Sequence, residues 1–312
     1  MINIVLATDD KFIQHCCVTI TSILQNNKDV TFYIFTEGLS GENEALLKQV
    51  VQSYGSKIVI RKVDSDIVQK FPMPSGSSEH ISIATYYRLF CCYLLPEEIE
   101  KVIYLDCDIV VRGNLEPLWN TDIDDYAIAA VYQHNEWAFQ NNVFDRLGIP
   151  QNKGYFNAGV LLINVLYWRK NDITKKLFAF IENNYLLIKA HDQDVLNAVL
   201  HGNIRPLSPI WNYLPIFFLD QKKTFPHYLE YINVPDIQDA IIVHFVFKPK
   251  PWEMFCTHPL KSEYYKYLKY TPFKDFKPDI SLSLVFKHFF QQKLLPFIIR
   301  CDVFNIRKYL KK

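Results

Sequence analysis

The sequence predicts an α/β domain on a mostly parallel central sheet, and three observations carry that expectation. Strand-length apolar runs and helix-length segments alternate over residues 2–63. The first apolar run ends in an acid-bearing polar loop, "ATDD" (7–10), as strands do at the ligand-binding edge of open α/β sheets. At 312 residues and 49% apolar composition, the chain can bury the large core that such a sheet requires.

The elements follow in order. Residues 2–7 are a strand, 13–26 a helix ending near Asn26-Asn27, and "VTFYIFTE" (30–37) a second strand rich in β-branched and aromatic residues. A helix over 41–54 and the strand "KIVIRKV" (57–63) complete the alternation. "FPMPSGSS" (71–78) is a Pro/Gly/Ser loop, and 80–95 reads as a helix. "KVIYLDCDIVVRG" (101–113) reads as one buried apolar strand interrupted by two carboxylates. Strands are expected at 126–131, 159–165 and 240–246, and helices at 172–188 and 192–200. No internal repeat is visible.

The net charge of +1 argues against nucleic acid as a partner. It conceals an asymmetry: residues 261–312 carry 12 Lys and Arg against 4 Asp and Glu, while the rest carries 22 against 29. The seven cysteines (16, 17, 91, 92, 107, 256, 301) include two adjacent pairs and no C-x-x-C, which points to a reducing compartment rather than a disulfide framework. "MINIVLATDD" lacks a basic n-region and a cleavage site, and no apolar run reaches bilayer-spanning length. A cytoplasmic protein is expected.

Asp106 and Asp108 pose the chemical question, because an ionised carboxylate in an apolar strand is costly without a partner. The D-x-D string itself is weak. It recurs at Asp64/Asp66, Asp122/Asp124 and Asp192/Asp194, and alone it is better explained by carboxylates turned to solvent. Only the 106/108 pair interrupts a strongly apolar run. Residues i and i+2 of a strand point the same way, so both carboxylates can converge on one hard divalent cation. His244, in the apolar "IVHFVF" and followed by Lys248 and Lys250, is a candidate third ligand beside a phosphate site; an imidazole shifts the preference from Mg²⁺ toward Mn²⁺. Each of these features has a plain structural alternative: a helix N-cap for Asp9, a core histidine for His244.

Six ordered segments change that balance. "ATDD", "HISIATYYRL", "VIYLDCDIVV", "YFNAGVLLINV", "HDQDVLN" and "HF…KPW" occur in the order found in family-8 glycosyltransferases. The chain resembles the bacterial lipopolysaccharide and lipooligosaccharide α-galactosyl- and glucosyltransferases over about residues 1–255. The resemblance implies a GT-A (Rossmann-like) catalytic domain, retention of anomeric configuration, a UDP-sugar donor and a glycan or glycolipid acceptor. Position by position, it implies Mn²⁺ (Mg²⁺ as the alternative) on Asp106, Asp108 and His244. Ala7, Thr8, Asp9 and Lys11 fall in the nucleotide loop, with the acid at uracil, and Cys107 lies between the two ligands. Arg88 falls on the donor sugar and diphosphate side, and Asn157, Asp192 and Gln193 around the sugar. Gln193 is nearest the anomeric carbon, with Asp192 as the alternative nucleophile, and Lys250 contacts the diphosphate. Three positions depart from the pattern: Phe247 stands where the family has glycine, Lys11 where Asn is common, and Gln133 where an acid is common.

Residues 256–312 are expected to form a separate basic, aromatic-rich segment, helical in its tail. "FKHFFQQKLLPFIIRCDVFNIRKYLKK" interleaves Phe and Leu with Lys and Arg, as segments lying on anionic membrane surfaces do. A covering helix with a solvated basic face is its structural alternative. Two other functions fit parts of the sequence. A haloacid-dehalogenase-like phosphatase would use Asp106 as nucleophile and Asp108 as general acid, although about a hundred residues precede the pair. A catalytically dead UDP-sugar- or glycan-binding protein would explain Phe247.

Overall fold

The computed structural model describes residues 1–72, 82–133, 138–139, 141–219 and 234–278. The strands within them are β1 (Ile2–Ala7), β2 (Val30–Thr36), β3 (Lys57–Lys62), β4 (Lys101–Leu105), β5 (Ile109–Val111), β6 (Ile128–Tyr132), β7 (Phe156–Asn164), β8 (Ile204–Pro206) and β9 (Ile242–His244). Among the described residues, seven of them form one sheet in the order β3-β2-β1-β4-β7-β6-β8, and β5 pairs separately with β9. Every strand of the large sheet but β7 runs the same way. The predicted α/β class with a mostly parallel sheet is therefore the observed one.

Alternation along the strands builds two cores. Ile4, Leu6, Ile103, Leu105, Val160 and Leu162 face α1 (Ile13–Asn26) and α2 (Gly41–Ser53), whereas Val5, Val102, Tyr104, Leu161 and Ile163 face the segments that follow β3 and β7. Both faces are covered, which is why the strands read as unbroken apolar runs. Ser40 caps α2 by accepting from Asn43 N–H, and Asp10 accepts from the Ser40 amide at 2.9 Å, tying the loop after β1 to that cap.

Several elements differ from expectation. The run 101–113 is not one strand. β4 ends at Leu105, a turn carries Asp106 to Asp108, and β5 enters the second sheet. Within 80–95 the described part is a 3₁₀ helix over Ile83–Phe90, followed by a short α-helix over Cys91–Leu94. Ala84 and Tyr86 to Phe90 are all buried there, so the segment has no solvent face of the kind an amphipathic helix presents. The helix expected over 172–188 ends at Asn183 and gives way to a 3₁₀ turn at Tyr185–Leu187. β7 begins three residues before the expected strand, because Phe156, Asn157 and Ala158 already pair or pack at its start.

The helix Lys261–Leu268, which the sequence division puts in the C-terminal segment, packs on α1. Tyr264 OH lies 2.8 Å from His15 Nδ1, Tyr267 OH accepts from Asn26 Nδ2 at 3.1 Å, and Trp252 stacks on His15 with ring centroids 3.6 Å apart. These rings bind the end of the loop after β9 to the body. Burial pushes His15 down to about 3, so this imidazole is neutral in the packed cluster. The basic tail over 281–312 lies outside the described residues. Among the described residues no helix is long and apolar enough to cross a membrane.

Candidate active site

The strand order reverses between β1 and β4, and both strands end at the same edge of the sheet. Such a switch point opens a crevice at the carboxyl ends of the strands. Pairing of Leu6 with Leu105 sets the loop after β1 beside Asp106, and β7 brings Gly159, whose carbonyl accepts from Asp106 N–H at 2.9 Å. On the other side Ile109 pairs with His244, and Phe245 N–H donates to the Asp108 carbonyl at 3.0 Å. The tight turn, rather than strand alternation, thus aims both carboxylates at one imidazole.

His244 Nε2 lies 3.1 Å from Asp108 Oδ1 and 3.7 Å from Asp106 Oδ2. One ligand atom from each of the three residues falls within 4.8 Å of the others. Two carboxylates and an imidazole are a donor set for a divalent cation of the Mn²⁺ type. The surroundings fit that use: a Cβ built on Gly159 would stand 2.1 Å from His244 Cε1 and 2.7 Å from Asp106 Oδ2. Only a residue without a side chain leaves the cluster its space.

Lys250 closes the cluster on one side. Its ammonium donates to Asp108 Oδ2 at 2.6 Å, to the Val246 carbonyl at 2.9 Å and to the Phe245 carbonyl. Burial opposes the charge on Asp108, but Lys250 and His244 together hold its carboxyl well below the usual range. On the other side Asn157, at the start of β7, donates from Nδ2 to Gln193 Oε1 at 3.0 Å and accepts through Oδ1 from Asn212 Nδ2 at 2.9 Å. Asn212 Oδ1 in turn lies 2.9 Å from His244 Nδ1. The sugar-side and metal-side candidates are therefore one bonded group.

The model described as Glycosyl transferase family 8 matches residues 3–256 of this chain. The chain belongs to glycosyl transferase family 8. This glycosyltransferase is 31% identical to General stress protein A of Bacillus subtilis, over 87% of its own length and 94% of the relative's. It is 28% identical to a lipopolysaccharide 1,3-galactosyltransferase of Salmonella typhimurium, over 93% and 86% of the two chains. Among solved structures it resembles the galactosyltransferase LgtC in complex with donor and acceptor sugar analogs, with a TM-score of 0.78, 28% identity and coverage of 92% and 100%. Membership in this family removes the phosphatase alternative.

The other predicted residues of the glycosyltransferase fall in two groups. Arg88 is buried, and its guanidinium makes several bonds within the protein. It donates to Asp106 Oδ1 at 2.7 Å and to the Ala158 carbonyl, pairs with Asp192 Oδ2 at 3.0 Å, and stacks on the Tyr104 ring. Burial works against that charge, but Asp106 and Asp192 outweigh it and push the guanidinium pKa above its ordinary value. Asp192 is held by Arg88 and Thr85, and burial nonetheless pushes its carboxyl up to about 6. Arg88 and Asp192 thus brace the cluster, with Arg88 fixing one oxygen of Asp106 so that Oδ2 faces His244.

In the loop after β1, Asp9 Oδ1 accepts from the Lys11 and Phe12 amides at 3.0 and 3.2 Å. Its role as a cap, the plain alternative in the sequence, is realised. Thr8 is buried, with its amide on the Phe35 carbonyl, and Ala7 ends β1. Lys11 is exposed. Cys107 turns its thiol away from the carboxylates to the Ala7 carbonyl at 3.3 Å. The Cys16 contact and burial raise its pKa, so it is no thiolate ligand. The Gln133 backbone N–H donates to the Tyr155 carbonyl.

The remaining D-x-D pairs explain why the string is uninformative. Asp64 accepts from the Asp66 amide and Asp122 from the Asp124 amide, each closing a local turn. Asp194 is a buried anchor for Arg146. Sequence reasoning passed over Asn212, Thr85, Tyr104 and Gly159. Asn212 lies in "PIWNYLP", with no second polar residue nearby to single it out.

Proposed function

We propose that this family-8 glycosyltransferase moves a hexose, galactose or glucose, from a UDP-sugar to a lipopolysaccharide or lipooligosaccharide acceptor with retention, using Mn²⁺ held by Asp106, Asp108 and His244. The observation that carries this reading is the convergence of those three side chains with Lys250 and Gln193 at one switch-point crevice. The names of the lipopolysaccharide galactosyl- and glucosyltransferases it resembles support the acceptor class.

Departure of UDP builds negative charge on the diphosphate while the sugar becomes oxocarbenium-like. A bound dication supplies Lewis-acid neutralisation of that charge. Lys250, in contact with Asp108, places a second positive charge at the same spot, where it stabilises the transition state more than the ground state. Asp9 and its loop lie at the end of β1 beside Asp106, within the same crevice for the nucleotide base.

Gln193 Oε1 already accepts from Asn157 Nδ2 and Ala158 N–H, which leaves its oxygen a poor nucleophile. Asp192 has both oxygens engaged, by Thr85 and by Arg88, which argues against covalent attack by it. These two constraints favour attack by the acceptor on the face that UDP leaves, with the departing phosphate accepting the hydroxyl proton.

Two regional proposals complete the reading. Residues 1–255 form the catalytic domain, and the basic residues of 281–312 dock the enzyme on the anionic inner face of the cytoplasmic membrane. UDP release from UDP-galactose and UDP-glucose is measured with Mn²⁺, with and without a glycan acceptor. Asp108→Asn is expected to lower metal-dependent turnover by about 100-fold or more. Wild-type turnover in that variant would overturn the site. UDP binding without release from either donor would instead leave a binding protein, consistent with Phe247 standing 56% exposed where relatives were expected to have glycine.

A further inference from the structure

We propose that Asn212 is a positioning residue that fixes which nitrogen of His244 can bind the cation and couples that choice to Gln193. The inference rests on the metal reading above and adds a residue to it.

Two backbone donors settle the direction of every bond in the group. Ala158 N–H can only donate, so the side-chain atom 3.1 Å from it is Gln193 Oε1. Gly159 N–H likewise identifies the atom 3.0 Å away as Asn157 Oδ1. Asn157 must then turn its Nδ2 to Gln193 Oε1, at 3.0 Å. Because Asn157 Oδ1 is an acceptor, Asn212 presents Nδ2 to it, at 2.9 Å, and so presents Oδ1 to His244 Nδ1, at 2.9 Å. An amide oxygen cannot donate, and therefore the hydrogen sits on His244 Nδ1. That leaves Nε2, which faces Asp106 and Asp108, as the ring nitrogen available to a cation.

Burial makes the assignment stable. Asn212 is fully buried, and Asn157 and His244 nearly so, which leaves water little access to substitute for a lost partner. The same amide thus does two jobs. Its oxygen sets the ligand tautomer, and its nitrogen holds Asn157, which holds Gln193.

The two halves of the amide are separable by substitution. Asn212→Ala removes both. Asn212→Asp, close to isosteric, keeps an acceptor for His244 Nδ1–H but replaces the donor to Asn157 Oδ1 with an oxygen. Mn²⁺ alone is titrated into the purified full chain, with unbound Mn²⁺ read by its electron paramagnetic resonance signal, and kcat and KM are measured for UDP release. Asn212→Ala is expected to weaken Mn²⁺ binding about 10- to 100-fold. Asn212→Asp is expected to stay within about threefold of wild type in Mn²⁺ affinity while kcat falls tenfold or more, a split that general loosening of the core does not produce. Wild-type Mn²⁺ affinity in Asn212→Ala would overturn the inference, as would equal losses of affinity in the two variants or an unchanged kcat in Asn212→Asp. Absence of Mn²⁺ binding by the wild-type chain would overturn the metal reading itself, and this inference with it.

Discussion

At the scale of single residues, a missing atom matters as much as the charged ones. Gly159 lies in extended β7 and needs no unusual backbone angle; what it contributes is the absence of a Cβ between His244 and Asp106. Neither neighbour can yield easily, since Arg88 and Tyr104 hold Asp106 and Asn212 holds His244. Gly159→Ala is therefore expected to push the imidazole off the carboxylates. On the proposed metal site, wild type is expected to gain melting temperature with Mn²⁺ and Gly159→Ala to lose that gain, with turnover at least about tenfold lower and far-UV circular dichroism unchanged. Retention of that thermal shift would show that the cluster tolerates a methyl group and is not as tight as the distances say. The residue scale was only partly legible in sequence. Asp106, Asp108 and His244 announce themselves as charged or basic groups in apolar runs, whereas a glycine in "FNAGVLL" looks like any other.

At the scale of elements, the helix His191–Leu200 delivers Asp192 and Gln193 to the crevice, and its start is held by an acid that takes no part in the chemistry. Asp194 is fully buried and accepts from Tyr155 OH at 2.7 Å, from the Lys189 and Ala190 amides at 2.8 Å each, and from Arg146 at 2.9 Å. It binds its own N-terminal turn to the chain before it, in the manner of a cap turned inward. Asp194→Ala removes one partner of a buried ion pair and strands four donors. A loss of about 3–5 kcal/mol in urea-induced unfolding is expected, together with a rise in KM for the donor as Gln193 shifts. A loss below about 1 kcal/mol would mean that the turn is held by packing alone. In the sequence, "HDQD" presents two acids of equal standing, and only their partners separate the brace at Asp192, held by Arg88 and Thr85, from the anchor at Asp194, held by Arg146 and Tyr155.

At the scale of the whole molecule, charge is divided unevenly. An acidic body carries the site, and residues 281–312 hold seven Lys and Arg against one Asp. Each cation close to an anionic lipid surface contributes ~1 kcal/mol at moderate salt, enough in sum for reversible docking. A chain truncated after residue 280 keeps the helix Lys261–Leu268 and its packing on α1. It is expected to transfer to a short water-soluble acceptor at the wild-type rate and to lose co-sedimentation with phosphatidylglycerol vesicles. Undiminished co-sedimentation would overturn the docking role of the tail.

Local pattern was enough to determine the class of this protein. Apolar runs, helix-length spacers and acids placed at run ends are short-range features, and they specified α1, α2, β1 to β3 and the two carboxylates before any contact was known. Three matters depended on tertiary structure. Whether 101–113 is one strand or two turned on β5 pairing with β9, a partner about 130 residues away in the chain. Which acids hold Arg88 turned on Asp106 and Asp192 arriving from different elements. The role of Asn212 exists only because β7, β9 and the segment before residue 213 converge on one buried point. Periodicity reports which face of an element is buried; which polar groups meet inside is a property of long-range pairing, and no window along the chain contains it.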